Sequence, residues 1–213
     1  ALPELPDLCL LVVDDNSPDG TGKIADDLVQ QYPGRVFVVH RAEKNGLGPA
    51  YKDGFKRALE LGAETIMQMD ADGSHQPQHI VEMVNAMARE DADMVIGSRY
   101  ANGGGVDEKW SPYRKLLSWF ANRVYVHTLL GIPANDPTGG FRLWKAKTLI
   151  GIDLDRVRSS GYVFQVEITY LTARLGYKIV ETPIYFPDRV LGISKMSANI
   201  QIEAALRVWQ VMR

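Results

Sequence analysis

Cysteine is almost absent from this chain: Cys9 is the only one in 213 residues. A single thiol excludes an internal disulfide and fits a reducing compartment. Its place in the apolar run 8–13 predicts a small, buried core residue. No apolar stretch approaches the roughly 20 residues needed to span a bilayer, and no signal peptide is visible. An excess of charge of one sign is also missing. With 24 basic against 26 acidic side chains, there is no global electrostatic case for nucleic acid or for bulk attraction to an anionic membrane. No repeat, linker or low-complexity segment interrupts the chain.

What is present is enough apolar material, 46% of residues, for one full core. Apolar runs and helical periodicity alternate. Strands are expected at 8–13, 36–40, 65–70 and 93–98, and helices at 20–32, 49–61 and 77–89, the last started by Pro77. That order predicts an α/β fold with a mainly parallel central sheet, flanking helices and right-handed crossovers. After Arg99 the pattern changes. A glycine-rich loop at 101–107 precedes a long helix at 112–130, a strand at 140–145, a helix at 162–175 and a strand at 178–186. Pro183 marks that last strand as an edge or a bulge. A final helix is expected at 197–212. The whole reads as one domain over 1–213, with residues 1–100 as one half and 101–213 as the other. Residues 1–7 resemble a helix tail and loop, so a first strand and helix are read as absent from this sequence.

Chemistry concentrates at strand ends. Asp70-Ala71-Asp72 follows an apolar strand directly and precedes a Gly-Ser turn. Ligands of open α/β sheets bind beyond the carboxyl ends of strands. Two hard oxygen donors there suit Mg²⁺ or Mn²⁺ holding a diphosphate. Asp91/Asp93 and Asp153/Asp155 share the spacing but lie in surface or loop settings. Asp14 and Asp15 end the first visible strand at the same sheet edge, where a carboxylate could accept from the N–H groups of a uracil or guanine; helix capping by Ser17 or Asp19 is the plainer job there. Asn45-Gly46-Leu47-Gly48 is a turn that lets backbone approach a nucleoside closely, although Tyr51 stands where a dinucleotide fingerprint would have its third glycine. Arg99, Arg114, Arg142, Arg189 and Lys195 flank turns or strand ends in the second half, and guanidinium forks match phosphate oxygens. His75 and His79 have the spacing of zinc ligands, but Pro77 intervenes and no glutamate stands beside them. His75 is instead expected near the diphosphate or in the turn. Trp119, Phe120 and Tyr125 on one helix, and Ile200, Ile202, Leu206 and Trp209 with Arg207 and Arg213 on the last, fit helices at a lipid interface, or simple packing on the core.

Taken together, VVDDNSPDGT (12–21), RAEKNGLGPAYKDGF (41–55), MDADGSHQP (69–77), IGSRYANGGGV (96–106), the Trp110 and YRKLLS segment (110–118), DPTGGFRLW (136–144) and GYVFQVE (161–167) make the chain similar to the polyprenol (dolichol) phosphate mannose synthases of glycosyltransferase family 2. The resemblance runs through nearly the whole chain in order. It implies a GT-A fold and inverting transfer of mannose from GDP-mannose to a polyprenyl monophosphate. It implies Mg²⁺ or Mn²⁺ and the donor diphosphate on Asp70 and Asp72, guanine contact by Asp14 or Asp15 with Ala71 beside the nucleoside, and acceptor phosphate on Arg99, Arg114, Arg189 and Lys195. It implies closure of the 103–106 loop over the site and work at the cytosolic face of a membrane, on its surface or with a membrane-embedded partner. Asp136 is the one candidate for a catalytic base. Two departures stand out. Ser74, a weaker ligand, occupies a position where some relatives place a metal-binding Gln. The family's opening Pro-x-Tyr-Asn-Glu strand and turn are not found. A polyprenyl phosphate glucose synthase using a UDP-sugar, or a non-catalytic scaffold subunit, are the alternatives.

Overall fold

In the computed structural model, residues 7–161 and 163–188 are described. The expected segments Arg189, Lys195 and 197–212 lie outside them. Two parallel strands open the chain, β1 (Leu10–Asp14) and β2 (Val36–His40), joined by α1 (Thr21–Gln31). Helix α2 (Leu47–Glu60) packs against β1 and against β3 (Thr65–Gln68), and so ties the pair to the second sheet. That sheet has the order β3-β6-β4-β7, with β4 (Met94–Ser98), β6 (Arg142–Lys145) and β7 (Ile179–Pro183). β4 and β7 are parallel, while β6 runs antiparallel to both β3 and β4. Three of the four strands therefore share a direction, as expected, and β6 is an inserted exception that its sequence does not announce.

Side-chain alternation along the strands divides the core in two. Met94, Ile96 and Trp144 face α2, α6 (Ala146–Ile152) and α7 (Val163–Arg174), with Phe55, Leu149 and Phe164 filling that layer. Val95 and Leu143 face the other way, onto Ile80, Met83 and Met87 of α3 (His79–Glu90). The result is a sheet with helices on both faces. Pro183 ends β7, which is the edge of the sheet, and the chain resumes after Ile184 as β8 (Tyr185–Phe186), paired with β5 (Gly105–Val106) inside the glycine-rich loop.

The long helix is real but not uniform. Ser111 caps α4 (Pro112–Trp119), its hydroxyl accepting from Arg114 N–H at 3.2 Å, with Pro112 at the first helical position. The rod then widens to a π-helical stretch over Phe120–Val126 and closes as α5 (His127–Leu130), stopped by Gly131 in the left-handed region. Cys9 departs from expectation. It is exposed, one residue ahead of β1, because the strand begins at Leu10 rather than at residue 8.

Candidate active site

Asp70 lies just beyond β3, on a turn that several groups hold. Its backbone N–H donates to His75 Nδ1 at 2.8 Å, and its Oδ1 accepts from the Tyr51 hydroxyl at 2.6 Å. Burial, reinforced by the Asp70 charge, pushes the Tyr51 pKa well above its ordinary value, so the tyrosine keeps its proton and donates. His75 is buried and stacked on Phe141 at 5.0 Å; burial pulls its pKa down, which suits a neutral ring accepting from a backbone N–H. Asp72, two residues on, accepts from Ser74 N–H at 3.1 Å and from the Ser74 hydroxyl. Ser74, expected as a weaker metal ligand, is fully buried with its hydroxyl turned onto Asp72. A side chain at Gly140 would sit 3.6 Å from Asp70 Oδ2, so the glycine leaves open the space beside that carboxylate.

This donor set suits a hard divalent cation. It has two carboxylates and no thiolate, and the space beside Asp70 is kept clear by Gly140. Among the described residues, no group of three or more His, Cys, Asp or Glu forms an all-protein cage. Mg²⁺ is held in just this way, by one or two carboxylates with substrate phosphates and water completing its shell. His75 and His79 do not act as a pair: His79 Nδ1 faces Glu82 at 2.9 Å while His75 faces Asp70.

His75 also links the two halves. Its ring meets Phe186 edge-on at 5.6 Å, and the Arg99 guanidinium lies 5.4 Å from that same ring. Arg99 is clamped by Asp136, Nε to Oδ2 at 2.8 Å and Nη2 to Oδ1 at 2.6 Å, with a further bond from Nη2 to Thr138 Oγ1 at 3.0 Å. Burial alone would lower the Arg99 pKa; the Asp136 charge outweighs it and holds the guanidinium above its ordinary value. Arg114 stacks over Trp110 at 3.6 Å, and Trp110 meets Phe186 at 6.0 Å. The structure thus gathers Arg99 and Arg114 around one aromatic pair. Arg142 does not join them. It is fully buried, bonding the carbonyls of Pro137 and Gly139 at 2.7 Å each, and burial lowers its pKa to about 9, so it shapes the 137–139 turn and cannot reach a ligand from solvent.

Asp136 is fully buried and both of its oxygens are engaged by Arg99. Its backbone N–H and that of Asn135 donate to Glu181 at 2.9 Å each. Sequence reasoning placed His75 in this turn but missed Glu181 and Tyr51, of which only Tyr51 left a trace, by interrupting the glycine pattern.

At the end of β1, Asp14 is buried and accepts from Ser17 N–H at 3.3 Å, while Asp15 is paired with Arg41, which also holds Asp53 at 2.7 Å. The N-cap of α1 is Gly20 in the left-handed region, with no side-chain cap, rather than Ser17 or Asp19; Asp19, one residue ahead of it, accepts from Thr21 N–H at 3.0 Å. Asn45 and Ala71 are exposed, and Asn45 lines a groove with Arg41 and Asp53 at the end of β2. The turn at Gly46 and Gly48 is packed tightly: Gly48 N–H donates to Ser160 O at 2.9 Å, and side chains at these positions would meet Ser160 O at 2.6 Å and Ser159 O at 2.4 Å. Gly104 is pressed against Ser98 O in the same manner, anchoring the glycine-rich loop beside Arg99. Outside the site, α4 and the start of the π-helical stretch expose Tyr113, Leu116, Trp119 and Phe120.

The architecture matches solved glycosyltransferases. Glucosyl-3-phosphoglycerate synthase from Mycobacterium tuberculosis, in complex with Mn²⁺, uridine-diphosphate and phosphoglyceric acid, superposes with a TM-score of 0.60 at 14% identity, covering 96% of this chain and 66% of that one. At that identity the likeness speaks for the fold alone, which is GT-A. The sequence takes the identification further. The Glycosyl transferase family 2 profile matches residues 4–150. The undecaprenyl-phosphate mannosyltransferase of Micrococcus luteus is 48% identical over 204 residues, covering 96% of this chain and 82% of its own length. The polyprenol monophosphomannose synthase of Mycolicibacterium smegmatis is 44% identical over 203 residues, covering 95% and 76%. The chain belongs to glycosyl transferase family 2 and is a glycosyltransferase.

Proposed function

We propose that this enzyme transfers mannose from GDP-mannose to a polyprenyl monophosphate, with inversion and with a divalent cation. The names of its two relatives support the sugar and the acceptor class. The observation that carries the mechanism is the juxtaposition, across His75 and Phe186, of a carboxylate pair and an arginine pair. Two anions have to meet in this reaction, the donor diphosphate and the acceptor phosphate. Asp70 and Asp72 would hold Mg²⁺ or Mn²⁺ with the diphosphate, and Arg99 and Arg114 would receive the acceptor. A cation held by Asp70 and Asp72 would supply positive charge to offset that building on the departing GDP. An acceptor phosphate oxygen, already anionic at neutral pH, attacks the anomeric carbon as the bond to GDP breaks. No strong base is required of the protein, and we assign Asp136 to holding Arg99 rather than to taking a proton. The protein's contribution is positioning and fixed charge. The Gly46–Gly48 turn and the Asn45 groove would take the nucleoside, and the outer face of α4 would rest on the bilayer that carries the acceptor.

The test is radiolabelled transfer to a short polyprenyl phosphate, comparing GDP-mannose with UDP-glucose, with and without EDTA. EDTA-sensitive transfer from GDP-mannose alone is expected. Transfer from UDP-glucose would overturn the donor, and transfer from neither would overturn the enzyme reading in favour of a scaffold. Asp72→Ala is expected to abolish cation-dependent transfer; full activity in that variant would remove Asp72 from the site.

A further inference from the structure

Tyr51 occupies a particular place in this molecule. It stands one turn into α2, three residues after Gly48, and its hydroxyl reaches Asp70. Its ring is held from two sides, stacked with Phe55 at 6.0 Å and with Phe164 at 6.1 Å. The start of α2 is itself pinned, because Gly48 N–H is bonded to Ser160 O, and neither glycine can take a side chain without displacing backbone. A hydrogen-bond donor fixed this firmly sets the orientation of its acceptor. Oδ1 of Asp70 is committed to the tyrosine, and the space kept open by Gly140 lies beside the same carboxylate. One short path of covalent and packed contacts therefore runs from the glycine turn, through Tyr51, to the cation carboxylate.

We propose that Tyr51 is a positioning residue that fixes the Asp70 carboxylate for the cation. This deepens the proposed function and rests on its assignment of Asp70. Outer partners of metal-binding carboxylates typically change metal affinity by roughly 10- to 100-fold when removed.

The experiment is Mn²⁺ titration of the full chain by electron paramagnetic resonance, with and without GDP, in wild type, Tyr51→Phe and Asp70→Asn. GDP binding in EDTA is measured alongside by calorimetry. Tyr51→Phe removes one oxygen and keeps both ring contacts. Its expected result is about tenfold weaker Mn²⁺ binding both alone and with GDP, and unchanged GDP binding in EDTA. That last readout separates positioning from a general structural defect, which would weaken all three. Wild-type Mn²⁺ affinity in Tyr51→Phe would overturn the proposal, as would GDP binding in EDTA that falls in parallel. If Asp70→Asn binds Mn²⁺ as wild type does, the site assignment itself fails, an outcome distinct from failure at Tyr51 alone.

Discussion

Asp136 and Arg99 form a buried pair in which each partner is the other's main compensation. Asp136→Asn leaves the guanidinium without its counter-charge. Breaking such a pair typically costs about 3–5 kcal/mol, so a loss of that order is expected in denaturant unfolding, and steady-state kinetics should show the acceptor KM rising more than the donor KM. His40 gives a different test. Its Nε2 lies 2.8 Å from Asp26, and this hydrogen bond raises its pKa above the ordinary 6.5. A raised folded value means that the contribution is fully present below pH 6.5 and is lost as pH rises through the folded pKa. A histidine NMR titration should find the His40 midpoint above 6.5, and Asp26→Asn should bring it back. The position of Asp70 and Asp72 was legible because carboxylates directly after an apolar run mark a strand end, a signal that Asp14 and Asp15 share while bonding Ser17 N–H and Arg41. Their partners were not. Tyr51 meets Asp70 from 19 residues away and Asp136 meets Arg99 from 37, and no local pattern encodes such contacts. The Ser74 hydroxyl and the Asp14 carboxylate likewise have partners, Asp72 and Ser17 N–H, that their sequence setting did not announce.

Among the elements, α4 has the most to say about substrate. Its outer surface carries Tyr113, Leu116 and Trp119, continued by Phe120 at the start of the π-helical stretch, all exposed, with Arg114 and Lys115 between them. Its inner side is tied to the site, the Tyr100 hydroxyl bonding Ser118 at 2.6 Å one residue from Arg99. An apolar and aromatic face with basic residues beside it has the make-up of an interfacial helix. The double variant Leu116→Ser with Phe120→Ser is expected to reduce sedimentation with anionic phospholipid vesicles by roughly tenfold, from the apolar area lost, while leaving GDP binding unchanged. Among the described residues no helix is long and apolar enough to cross a membrane. Helix positions were the most readable part of the chain, because apolar periodicity and the Ser111-Pro112 start are local signals. The π-helical stretch and α6 were not read: the first differs from an α-helix by one residue in its bonding, and the second is only seven residues long.

At the scale of the molecule, strand β6 decides how the sheet is assembled. Trp144 on it is fully buried between α2 and the neighbouring strands, and its ring meets Phe55 edge-on at 6.1 Å. Trp144→Ala should cost about 3–5 kcal/mol, read as a shift in the urea midpoint at constant slope. The alternation of strands and helices made the α/β class plain, but strand order depends on pairings that cross the whole chain, and β6 looks no different from a parallel strand in sequence. Its insertion carries a consequence for how the protein comes into being. β3 and β4 do not pair with each other; the partner each needs, residues 142–145, is made some 75 and 45 residues later. Until then the emerging chain holds two apolar strands with open edges. The segment that carries Asp70 and Asp72 therefore cannot complete its sheet before residues 142–145 arrive: the spacing between those carboxylates and Arg99, just after β4, is set by a strand made later than either.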